Sequence, residues 1–344
     1  MTTLHIPLGQ RAYDVHIGAG LLEKSGALIA ETLHPTRVLL VADSNVASYD
    51  YAASAKQSIE AQGIACHSFI FQAGEASKSL YIYEKILEAC TAFSLYSCDA
   101  LIALGGGVTG DLTGFAAATY RRGIPFVQMP TTLLAAVDSS VGGKTGVNLA
   151  AGKNLVGAFW QPGLVITDLN TFETLPPEEY ANGAAECLKH GVLFDEALFA
   201  ALEQGGRVTQ EQIARNVELK RDVVIGDERD SGERRKLNLG HTLGHAIEQA
   251  SGYEIPHGAA IGLGMAMMAR AFCPEIVDRL CAALENNALP TQCDYSVREL
   301  FSALEQDKKR AGGDITIVVP LKIGRCELRT LPIEEFKRLL EERL

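Results

Sequence analysis

The sequence predicts two consecutive domains: an N-terminal α/β domain built on a mostly parallel sheet, then a mainly α-helical domain. Three observations predict it. Short β-branched runs alternate with helical patterns through the first half, paired prolines and acids break the pattern at Leu175-Pro-Pro-Glu-Glu179, and helix follows helix from there to about Leu304. A chain of 344 residues is long enough to build two cores of ordinary size.

Taken in order, Arg37–Asp43 reads as a buried strand, and so does the run 67–71. Ala100–Gly105 runs straight into glycines, and 125–130 and Leu164–Asp168 are further strands. Strands separated by helical stretches are the pattern of βαβ units. At the break, Pro177 followed by Glu178 and Glu179 makes a helix start, with the acids at the positive end of its dipole. The boundary falls near residue 177, giving domains 1–177 and 178–344. The apolar stretch 261–268 is interrupted by glycine, closed by Arg270 and too short to span a bilayer, so it reads as a buried helix. Segments 315–319 and 325–328 form a small hairpin before a final charged helix.

An apolar share of 47% with 21% charged residues is that of a soluble globular protein. The net charge of −11 argues against nucleic-acid or anionic-membrane partners, which need a basic face. The first residues lack the basic start and apolar run of a secretion signal, and the eight cysteines form no C-x-x-C pair. Free thiols in the cytoplasm are the expectation. A metal site would then be built from histidine and carboxylate.

Gly105-Gly-Gly-Val-Thr-Gly110 satisfies G-x-G-x-x-G between a strand and a helical pattern, the place where backbone approaches a pyrophosphate in a Rossmann-like sheet. The acidic residue normally found about 20 positions later is missing, because that region is Met129-Pro-Thr-Thr132. Asp43 and Glu75 are the upstream acids able to serve a ribose; a tight turn without ligand is the alternative. Gly142-Gly-Lys-Thr145 resembles the end of a P-loop, but the required first glycine is Asp138, which excludes an ATPase.

His241 and His245 stand at i, i+4 on one helical face. Arg234 and Asn238 extend the spacing backwards, so a helix that starts early enough would carry all four as one polar stripe, suited to an anionic, hydroxylated ligand. Glu186 with Lys189 in one helix, and His257 at the mouth of another, are available to complete a metal site. Two histidines and a carboxylate leave open positions on zinc, as catalytic sites do; hydrogen-bonded core histidines are the alternative. The pair lacks the glutamate of H-E-x-x-H, which argues against a zinc peptidase.

Taken together, these segments resemble the 3-dehydroquinate synthase family. The resemblance runs through Gly74-Glu-Ala-Ser-Lys78, the glycine-rich run from Gly105 to Phe115, Arg121-Arg-Gly123, the long run from Pro130 to Gly146, Gly152-Lys-Asn154, Ala185-Glu186 with Lys189, Asn238-Leu-Gly-His-Thr-Leu-Gly-His245 and Pro256-His-Gly258. It covers nearly the whole chain in the family's order. It implies an active site in the cleft between the two domains, with metal ligands at Glu186, His241 and His257. It implies NAD contacts at Asp43, Glu75, Lys78, Gly107, Asp111, Thr131, Thr132, Lys144, Lys153 and Thr174. The implied substrate groups are Asp138, Lys144, Asn154, Lys189, Lys220, Arg234, Asn238 and His245, with Lys308 or Lys309, and Arg122 reaching in from the neighbouring subunit of a homodimer. Ala259 stands where the family usually has glutamate, and Cys187 and His190 replace apolar and tyrosine residues.

The resemblance implies a lyase of aromatic amino acid biosynthesis, in the shikimate pathway, that takes 3-deoxy-D-arabino-heptulosonate 7-phosphate to 3-dehydroquinate and phosphate. Its course is transient oxidation by NAD, phosphate elimination, re-reduction and intramolecular aldol closure, with one zinc or cobalt ion. The rivals are a cyclase for glucose 6-phosphate or sedoheptulose 7-phosphate, a metal-dependent alcohol or glycerol dehydrogenase, and a non-catalytic protein that keeps the fold. Relatives acting on the uncarboxylated sugars tend to lose the Arg, Asn and second-His pattern, which this chain retains at Arg234, Asn238 and His245.

Overall fold

The computed structural model describes residues 1–308 and 313–344, and the chain divides into two compact units, Met1–Pro176 and Pro177–Leu344.

In the first unit, seven strands form one sheet: β1 (Thr2–Ile6), β2 (Tyr13–Gly18), β3 (Arg37–Asp43), β4 (Ala65–Phe71), β5 (Ala100–Gly105), β6 (Phe126–Pro130) and a later strand, Leu164–Asp168. Their spatial order is β1, β2, Leu164–Asp168, β6, β5, β3, β4. Every neighbouring pair is parallel except β1 with β2. Alternation along the strands explains the layers. Val38, Leu40, Ile102 and Leu104 face a core with Ile29, Ala55 and Ile59 from the helices Ser25–Leu33 and Tyr51–Glu60. Leu39, Val41, Leu101 and Ala103 face the opposite core, with Ile86, Cys90, Leu112 and Phe115 from Leu80–Ala92 and Gly107–Thr119. A parallel sheet covered on both faces is continuously apolar, and these strands are.

Two features go beyond the sequence expectation. The N-terminal hairpin β1–β2 extends the sheet, and Lys144–Leu149 pairs antiparallel with Gly152–Phe159 as a separate ribbon. Lys144 and Thr145 therefore lie on a strand, a second argument against the P-loop reading.

The second unit is helical, with the hairpin Asp314–Lys322 and Arg325–Pro332 and a last helix, Ile333–Arg343. Its centre is a close crossing of three helices: Pro177–Phe194, His241–Ala250 and His257–Phe272. A β-carbon on Gly264 would lie 2.1 Å from the Gly240 carbonyl oxygen, and one on Gly258 would lie 2.4 Å from the Asn182 backbone. Gly258 N also donates to Asn182 Oδ1 at 3.1 Å. Only glycine fits where backbones touch this closely. Among the described residues, no helix is long and apolar enough to cross a membrane.

The anticipated four-residue stripe is not one helix. Glu233–Asn238 is a 3₁₀ turn, Gly240 is left-handed at φ 77°, and the α-helix starts at His241. The reason is the crossing itself: the chain must turn sharply at Gly240 to bring its carbonyl under Gly264. Arg234 and Asn238 thus leave the face that carries His241 and His245.

Gly264→Ala is expected to destabilise the chain by about 1–3 kcal/mol through overpacking, read as a lowered denaturant midpoint. Gly226→Ala, at a helix end with no neighbour within 4 Å, is the control and is expected to leave it unchanged or slightly raised.

Candidate active site

Pro177–Phe194 presents Glu186 and Lys189, three apart, on one buried face. Glu186 is 0% exposed and Lys189 1%, and the lysine ammonium touches Glu186 Oε2. Neither glutamate oxygen accepts a well-formed hydrogen bond among the described residues. His257 Nε2 lies 3.6 Å and His241 Nε2 3.8 Å from the other oxygen, Oε1. These separations are too long for hydrogen bonds. They suit ligands of a common ion, since donors about 2.0–2.2 Å from zinc in tetrahedral array lie roughly 3.4 Å apart. A buried carboxylate oxygen facing two imidazole nitrogens across such a gap is a donor set that fits a divalent cation.

The opposite ring nitrogens are held from behind. His241 Nδ1 is 3.2 Å from the Leu239 carbonyl, and His257 Nδ1 is 3.4 Å from Glu248 Oε2. Glu248 is itself buried, and its Oε2 lies 4.0 Å from His245 Nε2. The electrostatics follow from this packing. Burial pushes the Glu186 carboxyl up, but Lys189, with His257 and His241, outweighs it and holds the group well below the ordinary carboxylate range. Burial and the Lys189 charge push His241 well below the usual imidazole value. Burial opposes a proton on His257 too, yet its contacts with Glu186 and Glu248 prevail and raise it to about 9.

Lys220 is buried on the helix Gln210–Gly226. Arg234, 3% exposed, donates from Nη1 to the Glu228 carbonyl at 2.6 Å. Asp227 organises the loop before it: one oxygen accepts from Ser231 N and Oγ, the other from Gly232 N at 2.6 Å and Arg234 N at 3.1 Å. His245 and Asn238 are exposed. His190 is a buried side chain whose Nδ1 meets Asn216 Oδ1 at 3.0 Å, and Cys187 is packed in the core. Lys309 lies outside the described residues.

In the first unit, Lys78, Asp111, Asn154 and Glu75 fall into one network. Lys78 Nζ pairs with Asp111 Oδ2 at 2.6 Å and donates to Asn154 Oδ1 at 2.6 Å, while Asn148 Nδ2 donates to Glu75 Oε1 at 2.6 Å. Asn148 Oδ1 accepts from Asn154 N, holding Asn154 at a left-handed φ of 57°. Lys153 precedes it on the same strand, and Lys144 is exposed on the paired one. Asp43 ends β3 and caps the next turn through Asn45 N and Val46 N, and Thr109 Oγ1 donates to its second oxygen at 3.2 Å. Gly107 opens the helix behind the glycine-rich turn, Thr131 is buried after β6, Thr132 Oγ1 accepts from Ala135 N, and Asp138 lies in the turn Ala135–Ser139. Thr174 Oγ1 is 2.9 Å from the Tyr51 hydroxyl. Arg122 is exposed in a run of three positive-φ residues with Arg121 and Gly123, where the Arg121 guanidinium lies over Tyr96 and Tyr120.

Family models described as 3-dehydroquinate synthase N-terminal and C-terminal match residues 68–182 and 183–310. The 3-dehydroquinate synthase of Rhizobium rhizogenes (strain K84) is 40% identical over 99% of this chain and 96% of its own. The chain belongs to the 3-dehydroquinate synthase family. It is accordingly an enzyme, and the class is a lyase. Among solved structures, 2-deoxy-scyllo-inosose synthase complexed with carbaglucose-6-phosphate, NAD+ and Co2+ matches with a TM-score of 0.88 at 26% identity over 100% of both chains. The 2-epi-5-epi-valiolone synthase of Streptomyces hygroscopicus subsp. jinggangensis 5008, with NAD+ and Zn2+ bound, matches with a TM-score of 0.84 at 26% identity, over 96% of this chain and 95% of its own.

Two residues that sequence reasoning passed over stand directly behind candidate site residues, Glu248 at His257 and Asp227 in the loop of Arg234. Glu248 continues the helical face of His241 and His245 at i+7 and i+3, a spacing readable in the sequence. Asp227 carries no such signal, because its role depends on a loop that folds back seven residues. Hydrogen bonds from the loop hold the Asp227 carboxyl far below its ordinary value of about 4. A depressed carboxyl contributes stability above its unfolded pKa and loses that contribution as pH falls through the folded one. Asp227→Asn should therefore lower the thermal midpoint at pH 7, and the gap from the unmodified chain should narrow progressively below about pH 4. A gap independent of pH would rule out the carboxylate as its source.

Proposed function

We propose that this chain converts 3-deoxy-D-arabino-heptulosonate 7-phosphate to 3-dehydroquinate and phosphate, using NAD and one divalent zinc or cobalt ion, as a cytoplasmic homodimer. The carrying observation is the cluster of buried Glu186 and Lys189 with half-buried His241 and His257, in a chain of this family. Glu186 Oε1 and the two Nε2 atoms would hold the metal. When bound, the metal supplies a Lewis acid and NAD a hydride acceptor that is regenerated, so no net redox change accumulates.

The chain's own residues do the rest. Lys189, dry beside Glu186, holds a proton where it can hydrogen-bond a developing oxyanion, and Lys220 adds a second buried cation. A fixed ammonium in a water-excluded site needs no reorganisation as charge develops. Arg234, whose Nη1 donates to the Glu228 carbonyl, carries a planar guanidinium fork of the geometry that matches a carboxylate. Lys144, Asn154, Asn238 and His245, and Arg122 from a second copy, are the phosphate-binding groups. Asp111 and Lys78, with Asp43, Glu75, Gly107, Thr131, Thr132, Lys153 and Thr174, are the NAD-binding set, supported by the glycine-rich turn at a helix start.

The decisive assay follows phosphate release from the heptulosonate phosphate with NAD and Zn2+ or Co2+ while reading nicotinamide absorbance. Phosphate should appear without accumulating NADH, and a chelator should abolish it. Glucose 6-phosphate and sedoheptulose 7-phosphate should release none. Steady NADH without phosphate would point to a dehydrogenase instead.

Arg234→Lys retains the charge and removes the fork. It is expected to lower kcat/KM for the carboxylated substrate by roughly 10–100-fold, the worth of a charge-assisted hydrogen bond of about 1.5–3 kcal/mol. Unchanged kcat/KM would remove Arg234 from the substrate site.

A further inference from the structure

Glu248 is a carboxylate 5% exposed in the second unit, on the stripe of His241–Ala250 that carries both histidines. Burying a carboxylate is costly unless it is partnered. Its Oε2 faces His257 Nδ1 at 3.4 Å, within hydrogen-bond reach, and His245 Nε2 at 4.0 Å, beyond it. The adjoining residue of the His257 helix turn, Ala259, offers no polar side chain to that ring. The Nε2 of the same imidazole points the other way, to Glu186 Oε1 at 3.6 Å. His257 is thus suspended between two carboxylates, one at each nitrogen.

An imidazole can ligate a metal only through a nitrogen without a proton, and an acceptor at the opposite nitrogen decides which one that is. His241 has such an acceptor in the Leu239 carbonyl. We propose that Glu248 is the positioning residue of the metal centre: it accepts the Nδ1–H of His257, fixing the tautomer and ring orientation that present Nε2 beside Glu186 and His241. This rests on the reading of those three residues as ligands. The carboxylate also adds negative charge one shell out, which raises the basicity of the ligating nitrogen.

The competing role for the same atoms is direct ligation. Glu248, His245 and His257 Nδ1 lie close enough to hold a second cation. The positioning role keeps a proton on His257 Nδ1, whereas ligation of a second cation through Nδ1 removes it and changes the stoichiometry, so one set of measurements separates them.

The test is Co2+ titration of the metal-free full chain against a competing chelator, with stoichiometry and the cobalt d–d spectrum recorded. The unmodified chain should bind one Co2+, and Glu186→Ala should abolish that binding. Glu248→Ala should weaken binding by about 10–100-fold and shift the d–d band. Glu248→Gln, which keeps an acceptor oxygen for Nδ1–H, should recover most of the affinity. Affinity within twofold of the unmodified chain in Glu248→Ala overturns the positioning role and leaves the ligands intact. Binding indifferent to Glu186→Ala overturns the ligand reading itself. Two Co2+ per chain, one lost in Glu248→Ala, makes Glu248 a ligand and overturns the proposal in that direction. Should Glu248→Ala not fold, 15N imidazole spectra of the unmodified Zn2+-loaded chain decide: a protonated Nδ1 and metal-bound Nε2 on His257 are required, and a metal-bound Nδ1 is fatal.

Discussion

The second unit depends on how closely three helix backbones approach one another. Gly264 lies against the Gly240 carbonyl, and Gly258 against Asn182. A side chain at either glycine would push the helices apart by an ångström or more. The consequence reaches the polar cluster directly. Asn182 is one helical turn before Glu186, Gly258 follows His257, and Gly240 precedes His241. Each proposed ligand therefore sits within a turn of a backbone contact. Nitrogen-to-oxygen gaps of 3.6 and 3.8 Å are set by these contacts rather than by the soft torsions of long side chains.

That rigidity makes an electrostatically costly arrangement sustainable. Taking a carboxylate and an ammonium fully out of water costs several kcal/mol per ion, and their attraction does not reliably repay it. Glu186 and Lys189 are nonetheless both buried, three residues apart on one helix. Packing alone would be served as well by two apolar residues of similar size. What apolar residues could not do is hold a charge gradient across a few ångströms, with carboxylate facing the imidazoles and ammonium behind it. Burial, which penalises the charges in the folded chain, is also what makes them strong at a reacting oxygen.

The first unit was the more legible in sequence, for a physical reason. Its core strands are buried on both faces, so they read as unbroken apolar runs, and the glycine-rich turn after β5 punctuates one of them. Strands β1 and β2 do not read as unbroken apolar runs, because Thr2–Ile6, at the sheet edge, and Tyr13–Gly18 carry polar residues between their apolar ones. The ribbon of Lys144–Leu149 and Gly152–Phe159 is rich in glycine and exposed on one side, which hides strand periodicity. In the second unit, residue types and approximate positions were readable, but the stripe from Arg234 to His245 was not a helix. Spacing of four, three and four is compatible with a helix but does not require one. The left-handed Gly240 is demanded by a helix twenty-four residues later in sequence at Gly264, and no local pattern carries that demand.

Breaking the stripe has a consequence for how the charged groups differ. His241 and Glu248 remain on the helix and inherit its rigidity from the crossing. Arg234 does not, and its place is defined instead by the loop that Asp227 gathers through four donors, with the Glu228 carbonyl taking Nη1. Groups aimed at a metal must hold distances to a few tenths of an ångström, because coordination bonds tolerate little error. A guanidinium aimed at a carboxylate tolerates more, since its fork can meet two oxygens over a range of approach. Under the proposed function, the stiffer construction falls on the groups proposed to hold the metal, where the tolerance is smaller, and the loop-built one on the group proposed for the substrate carboxylate.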